Sequence, residues 1–214
     1  MKKYFVKNNS DTLLLFFSGW GCDEYEFEHL ESNSDILLLY DYCDLNLDFD
    51  FSKYKEINIL AFSAGVFIAS IFDFKFTPNK IVAMSGNPYL FDEHFGLSEK
   101  TQDFLCNITE ETAEDFARNY LVKTEEEYSN FHNSGRTLES CSKEFDCLKQ
   151  LYELKKKDIK DIFDIAIIGA EDPLFPPAAQ QEFYGSKLRL IENARHNMFF
   201  RIKGYEDIFN LADL

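Results

Sequence analysis

Ala61-Phe62-Ser63-Ala64-Gly65 decides the fold of this chain. The apolar run Ile57-Asn58-Ile59-Leu60 precedes it, and Val66-Phe67-Ile68-Ala69-Ser70-Ile71-Phe72 follows. This reads as strand, sharp turn and helix with a serine at the apex. Such a turn lifts Oγ clear of a sheet and aims the N-terminal amides of the next helix at the place where an oxyanion would form. Two backbones pass close together there, so the flanking residues must be small. Ala61, Ala64 and Gly65 meet that need, and the pattern is Gly-x-Ser-x-Gly with alanine in the first position. A small-residue turn whose serine only caps the helix is the competing reading.

A nucleophilic serine needs a base, and the base needs an orienting acid. The chain has four histidines, so the choice is short. His29 lies in the acidic, helical-looking stretch Glu24 to Glu31 and reads as a surface residue. His94 and His132 fall in the irregular middle. His196 follows the alternating run Lys187-Leu188-Arg189-Leu190-Ile191 and precedes a helical pattern from Tyr205 to Leu211. That leaves it on a loop beyond a late strand. For the acid, Ile165-Ala166-Ile167-Ile168 runs into Gly169-Ala170-Glu171-Asp172-Pro173-Leu174-Phe175-Pro176-Pro177, a buried strand, an acidic loop and a proline-started helix. Glu171 rivals Asp172. The Gly-x-x-Asp-x-x-x-Pro arrangement resembles the acid loop of α/β-hydrolases and favours Asp172. The order Ser63, Asp172, His196 is that superfamily's order of nucleophile, acid and base.

Ser18-Gly19-Trp20-Gly21-Cys22-Asp23 follows the apolar strand Leu13 to Phe17. In α/β-hydrolases this loop supplies one oxyanion amide, and the residue after the nucleophile supplies the other. Here these are the backbones of Trp20 and Ala64. The Trp20 side chain reads equally as a core anchor or as a wall of the acyl pocket, and Phe62 and Trp20 are the expected substrate contacts.

The 214 residues allow one domain with an insertion, and 45% hydrophobic residues, 23 of them phenylalanine, allow a sizeable core. Near-continuous apolar strands at 3–7, 12–17, 36–40, 57–62, 80–84, 164–168 and 187–191 suit a parallel sheet covered on both faces. Helices are expected at 63–74, 177–184 and 204–212. Between residues 87 and 160 strands give way to helical patterns, including 109–121 and 138–157. The expectation is an α/β-hydrolase core over 1–86 and 161–214 with a helical cap insertion over 87–160.

No window is apolar enough to span a bilayer, and Met1 to Asn9 lacks the apolar centre of a signal peptide, so the chain is expected to be cytoplasmic. Cys22, Cys43, Cys106, Cys141 and Cys147 form an odd, scattered set without CxxC spacing and are expected as free thiols. Cys22 reads as structural filler or as a reactive thiol. No metal or organic cofactor is expected. A net charge of −16 argues against nucleic acid. The insertion carries 16 acidic and 10 basic residues, so it is not basic as a whole. It holds Arg118, Lys123, Arg136, Lys143, Lys149 and the run Lys155-Lys156-Lys157 among its cations.

Phe16-Phe17-Ser18-Gly19-Trp20-Gly21 with Asp23, Ala61-Phe62-Ser63-Ala64-Gly65-Val66, and Ser85-Gly86-Asn87-Pro88 through Asp92 to Phe95-Gly96 carry a more specific likeness. Over nearly its whole length the chain resembles the small α/β-hydrolases, of the short BioG type, that hydrolyse pimeloyl-acyl-carrier-protein methyl ester in biotin synthesis. The resemblance implies Ser63 as nucleophile, His196 as base, Asp172 as acid, Trp20 and Ala64 as oxyanion hole, and an acyl-carrier-protein-linked substrate. Ala64 departs from the bulkier residue often found there, and the acidic surface is an awkward match for an acidic carrier. Two other readings compete: a general short-chain carboxylesterase or thioesterase, and a non-catalytic binding protein on this fold.

Overall fold

A computed structural model describes residues 1–131 and 134–212. His132 lies outside the described residues. Seven strands form one sheet in the order β1-β3-β2-β4-β5-β6-β7, where β1 is Lys2–Val6, β2 Thr12–Phe17, β3 Asp35–Tyr40, β4 Glu56–Phe62, β5 Lys80–Met84, β6 Ile165–Gly169 and β7 Leu188–Ile191. All neighbours run parallel except β1, which pairs antiparallel with β3 at one edge.

Strand alternation explains why the central strands contain no polar face. Leu13, Leu15 and Phe17 of β2 point into one core, with Leu37 and Leu39 of β3 and Ile59 of β4. Leu14 and Phe16 point into a second core on the other face, with Ile36, Leu38, Leu60 and Phe62. Both faces are covered, so both sets of positions are apolar. Edge strand β1 is covered less, and Tyr4 and Phe5 remain exposed.

The helices are α1 Ala64–Ile71, α2 Glu99–Cys106, α3 Glu110–Phe116, α4 Glu125–Asn130, α5 Leu138–Lys155, α6 Pro177–Tyr184 and α7 Tyr205–Ala212. Four of them, α2 to α5, lie between β5 and β6. Thr109 and Thr124 start α3 and α4 with capping boxes, and Thr137 caps α5. A π-turn, Ala117–Leu121, continues α3.

Helix α1 is shorter than the expected 63–74. It stops at Phe72, whose backbone is extended. Phe72, Phe74 and Phe76 alternate with polar residues, a period that suits extended chain. Their rings pack as a chain at centroid distances of 5.1 and 5.6 Å, and Phe72 lies edge-on to Phe17 at 5.4 Å. Among the described residues no helix is long and apolar enough to cross a membrane.

Candidate active site

The carboxyl ends of β2, β4, β6 and β7 carry the four loops singled out by sequence, where open parallel sheets place their ligands. Ser63 stands between β4 and α1 with φ 53° and ψ −122°. Its side chain makes no cap hydrogen bond, which sets aside the idle capping serine. The turn is built by close backbone approaches. A Cβ on Gly65 would lie 2.2 Å from the Phe17 carbonyl oxygen, and one on Gly86 would lie 2.5 Å from that of Ser63. Only glycine lets α1 and the β5 loop close on the serine from two sides.

The three side chains meet. Ser63 Oγ lies 3.0 Å from His196 Nε2, and His196 Nδ1 lies 2.9 Å from Asp172 Oδ2. His196 and Asp172 are each only 2% exposed, while Ser63 is half-buried at the cavity. The other Asp172 oxygen, Oδ1, accepts from the amides of Leu174 at 2.9 Å and Phe175 at 3.1 Å. The carboxylate is thereby fixed by its own loop before it meets the imidazole. Phe175 stacks on the His196 ring at 5.7 Å, and Phe62 packs against that ring at 5.3 Å. The rival acid, Glu171, is turned to the surface and pairs with Lys123 at 2.5 Å.

The acid and base loops are locked to each other. Ala170 N donates to Ile191 O and Glu171 N to Ala194 O, both at 2.9 Å. Arg195 donates from one guanidinium nitrogen to the carbonyls of Arg118, Asn119 and Val122, each at 3.0 Å, which ties the base loop to the π-turn. Asn197 N adds a bond to Leu121 O at 2.9 Å.

Ala64 is the first residue of α1, so its amide is one of those with no acceptor inside the helix. Trp20 sits across the cavity on the β2 loop. Its indole Nε1 donates to Cys141 O at 2.7 Å, and its ring lies edge-on to Phe145 at 5.4 Å. Trp20 is therefore an anchor to α5 and also lines the cavity that holds Ser63.

The cavity holding Ser63 and His196 has a volume of about 90 Å³. Trp20 and Phe62 line it from the loop after β2 and from β4, and Leu97, Leu105, Phe116 and Leu148 from the segment between β5 and β6. A larger groove of about 490 Å³ lies between α7 and the ends of β5 to β7, but no residue of the serine, histidine and aspartate set lines it. Ring chemistry and nucleophile occupy the smaller cavity, so the larger groove is not the site.

Other histidines take other roles. His29 is half-buried rather than a free surface residue, with Nε2 3.1 Å from the Phe199 carbonyl. The stretch expected as helix there is a short 3-10 turn, Glu24–Phe27. His94 is exposed and pairs with Glu182 at 2.9 Å.

Two buried acids escaped the sequence reading. Glu26 lines the cavity, and burial pushes its carboxyl up to about 8. Burial, reinforced by Glu26, raises the neighbouring Cys22 thiol well above its usual range, which suits filler rather than a reactive thiol. Glu144 of α5 is 0% exposed. Its signal was an acid on an otherwise apolar stripe, Cys141, Phe145, Leu148 and Tyr152. Arg136, one of the insertion's local cations, has its side chain buried against Glu144 at 2.5 Å.

The family model for the pimeloyl-ACP methyl esterase BioG matches residues 1–208. The chain belongs to the BioG family. The structure of selenomethionine BioG from Haemophilus influenzae is 28% identical, covers 97% of this chain and 99% of its own, and superposes with a TM-score of 0.83. A malonyl-[acyl-carrier protein] O-methyltransferase from Bacteroides fragilis is 32% identical over 179 residues, which are 79% of this chain but only 36% of that protein. An esterase from Exiguobacterium antarcticum, at 13% identity and a TM-score of 0.60 over 99% of this chain, shares the fold.

Proposed function

We propose that this BioG-family esterase cleaves the methyl ester of pimeloyl-acyl-carrier protein with Ser63 as nucleophile, His196 as general base and Asp172 as the orienting acid. The observation that carries the assignment is the unbroken line from Ser63 Oγ through His196 to Asp172, at 3.0 and 2.9 Å, opening on an apolar cavity.

Ser63 Oγ attacks the ester carbonyl while His196 Nε2 takes its proton. Asp172 keeps the other ring proton on Nδ1 and stabilises the imidazolium. The tetrahedral oxyanion rests on the amides of Trp20 and Ala64, a contribution of about 3–4 kcal/mol per donor in enzymes of this kind. The C–O bond to methoxide breaks, His196 protonates the leaving oxygen, and methanol departs. Water, deprotonated by His196, then cleaves the acyl-serine and releases the carboxylic acid.

Helices α2 to α5 act as the cap, within an insertion over residues 87–160. Their leucines and phenylalanines form the acyl channel, joined by Trp20 and Phe62 from the core. At about 90 Å³ the cavity is far below the roughly 300–1,000 Å³ of pockets that enclose drug-sized ligands, and it favours a slim, unbranched chain. The carrier protein remains outside and is met by local cations of the cap. Arg136 is not among them, and Arg118 and Lys123 are already paired with Glu114, Glu125 and Glu171. Lys155 and Lys156 pair with Asp158 and Glu153, so of the cations named from sequence Lys143, Lys149 and Lys157 are the remaining candidates. The chemistry named for the Bacteroides relative, methyl transfer on a carrier-linked acyl group, is of the kind that makes such an ester, which supports the substrate class.

The test is methanol release from the carrier-linked ester by wild type and Ser63→Ala. A loss of at least about a thousandfold is expected. An unchanged rate removes Ser63 from the chemistry.

A further inference from the structure

We infer that Glu144 is a positioning residue: from the cap, its buried carboxylate holds the Trp20–Gly21 peptide so that the oxyanion loop keeps its catalytic shape. The inference rests on the Ser63 reading above.

Three donors converge on this one side chain. Gly21 N donates to Oε2 at 3.0 Å, Arg136 Nη1 to the same oxygen at 2.5 Å, and Tyr42 N to Oε1 at 3.0 Å. The side chain therefore joins α5, the β2 loop and the end of β3 at one point. Gly21 has φ +76°, in the left-handed region, where glycine is free to take several backbone states. A loop of Gly19, Trp20 and Gly21 has little intrinsic preference for one shape, so the shape must be imposed from outside.

Helix α5 imposes it from two sides. Glu144 takes the amide that follows Trp20, and Cys141 O takes the indole proton at 2.7 Å. Trp20 is thus pinned through both its backbone and its ring by residues three apart, one turn of one helix. A third tie joins Gly135 N to Asp23 Oδ2 at 2.9 Å, just beyond the loop.

The charge arrangement fits an acid that must stay in place. Arg136 has 5% of its side chain exposed and is held by Ser140 Oγ at 2.9 Å and Asp41 at 3.4 Å. A buried ion pair of this kind is a poor source of stability, because desolvation offsets its attraction. Replacement by apolar side chains of similar volume is often neutral for folding. What the apolar pair cannot supply is an acceptor for Gly21 N.

This separates positioning from packing. In the double variant Glu144→Met/Arg136→Met, kcat on the carrier-linked ester is expected to fall about 10- to 100-fold with KM within about threefold, the scale of a misplacement near 1 Å. Affinity for a trifluoromethyl ketone, which mimics the oxyanion, should fall by the same factor. Glu144→Gln keeps a carbonyl oxygen facing both Gly21 N and Arg136 and turns its NH₂ toward Tyr42 N, so the donor–donor contact falls at the end of β3 rather than on the oxyanion loop; rescue to within about tenfold of wild-type kcat is expected, at some loss of melting temperature.

Glu144→Asp keeps the charge for Arg136 but withdraws the oxygen by one methylene. It should lose kcat like the double variant, and it serves as the test if the double variant does not fold. Full kcat in folded double or Asp variant overturns the inference. So does a rise in KM with kcat intact. Ser63→Ala is run alongside: if that variant stays active the nucleophile assignment has failed, whereas an inactive Ser63→Ala with unimpaired Glu144 variants refutes the positioning role alone.

Discussion

Asp172→Asn inverts the histidine tautomer, and the reason can be worked out atom by atom. The aspartate has one oxygen committed to two backbone amides, Leu174 N and Phe175 N, and the other to His196 Nδ1. An asparagine must place its NH₂ on one side or the other. Against the two amides it would make two buried donor–donor contacts, each costing about 1–3 kcal/mol. Against His196 it makes none, provided the imidazole becomes an acceptor at Nδ1. The ring proton then moves to Nε2 and faces Ser63 Oγ, where a lone pair is needed. Loss of the orienting carboxylate in this way costs about 10⁴ in kcat in serine proteases, or about 5 kcal/mol of barrier. The same size of loss is expected here. The two amide bonds survive, so the melting temperature should stay within a few degrees. Steady-state hydrolysis of the methyl ester, fluorophosphonate labelling of Ser63 and a thermal melt read the three parts. A variant within tenfold of wild-type kcat would show that Asp172 does not set the tautomer, and the triad would need another acid.

Gly65→Ala should destabilise by about 1–3 kcal/mol or more, since its Cβ would sit 2.2 Å from the Phe17 carbonyl oxygen and α1 would have to lift from β2. Thermal unfolding checks this, and an unchanged midpoint would mean the elbow yields easily. Glu26→Gln tests the buried acid. Below about pH 4.5 Glu26 carries its proton in both folded and unfolded chains; as pH rises toward 8 the unfolded chain releases it and the folded chain keeps it. Stability from this group therefore falls across that window, and glutamine escapes the loss. The melting-temperature gain of the variant should grow by several degrees between pH 5 and pH 8, whereas a gain independent of pH would contradict the burial effect.

The sheet was legible because its central strands bury both faces, so runs such as Leu13 to Phe17 and Ile36 to Leu39 carry no polar interruptions. Ser63 and His196 were legible from small flanking residues and from position beyond a strand. Asp172 was preferred over Glu171 from the Gly-x-x-Asp-x-x-x-Pro spacing of its loop, and in the structure that carboxyl faces the imidazole while Glu171 faces Lys123. Helix α1 was read too long because Phe72, Phe74 and Phe76 are apolar enough for a helix, while their period of two belongs to extended chain. Glu144 was missed, and Arg136 was named only as a local cation, because sequence gives residue type and helical face but not which face a neighbouring loop covers. Glu26 was missed for the same reason, lying among acids that do face water.

Arg195 gathers two carbonyls of the π-turn and that of Val122 just beyond it, while its sequence neighbour His196 carries the ring that meets Ser63. One guanidinium at this corner thus fastens the helical segment between β5 and β6 to the loop that carries the imidazole.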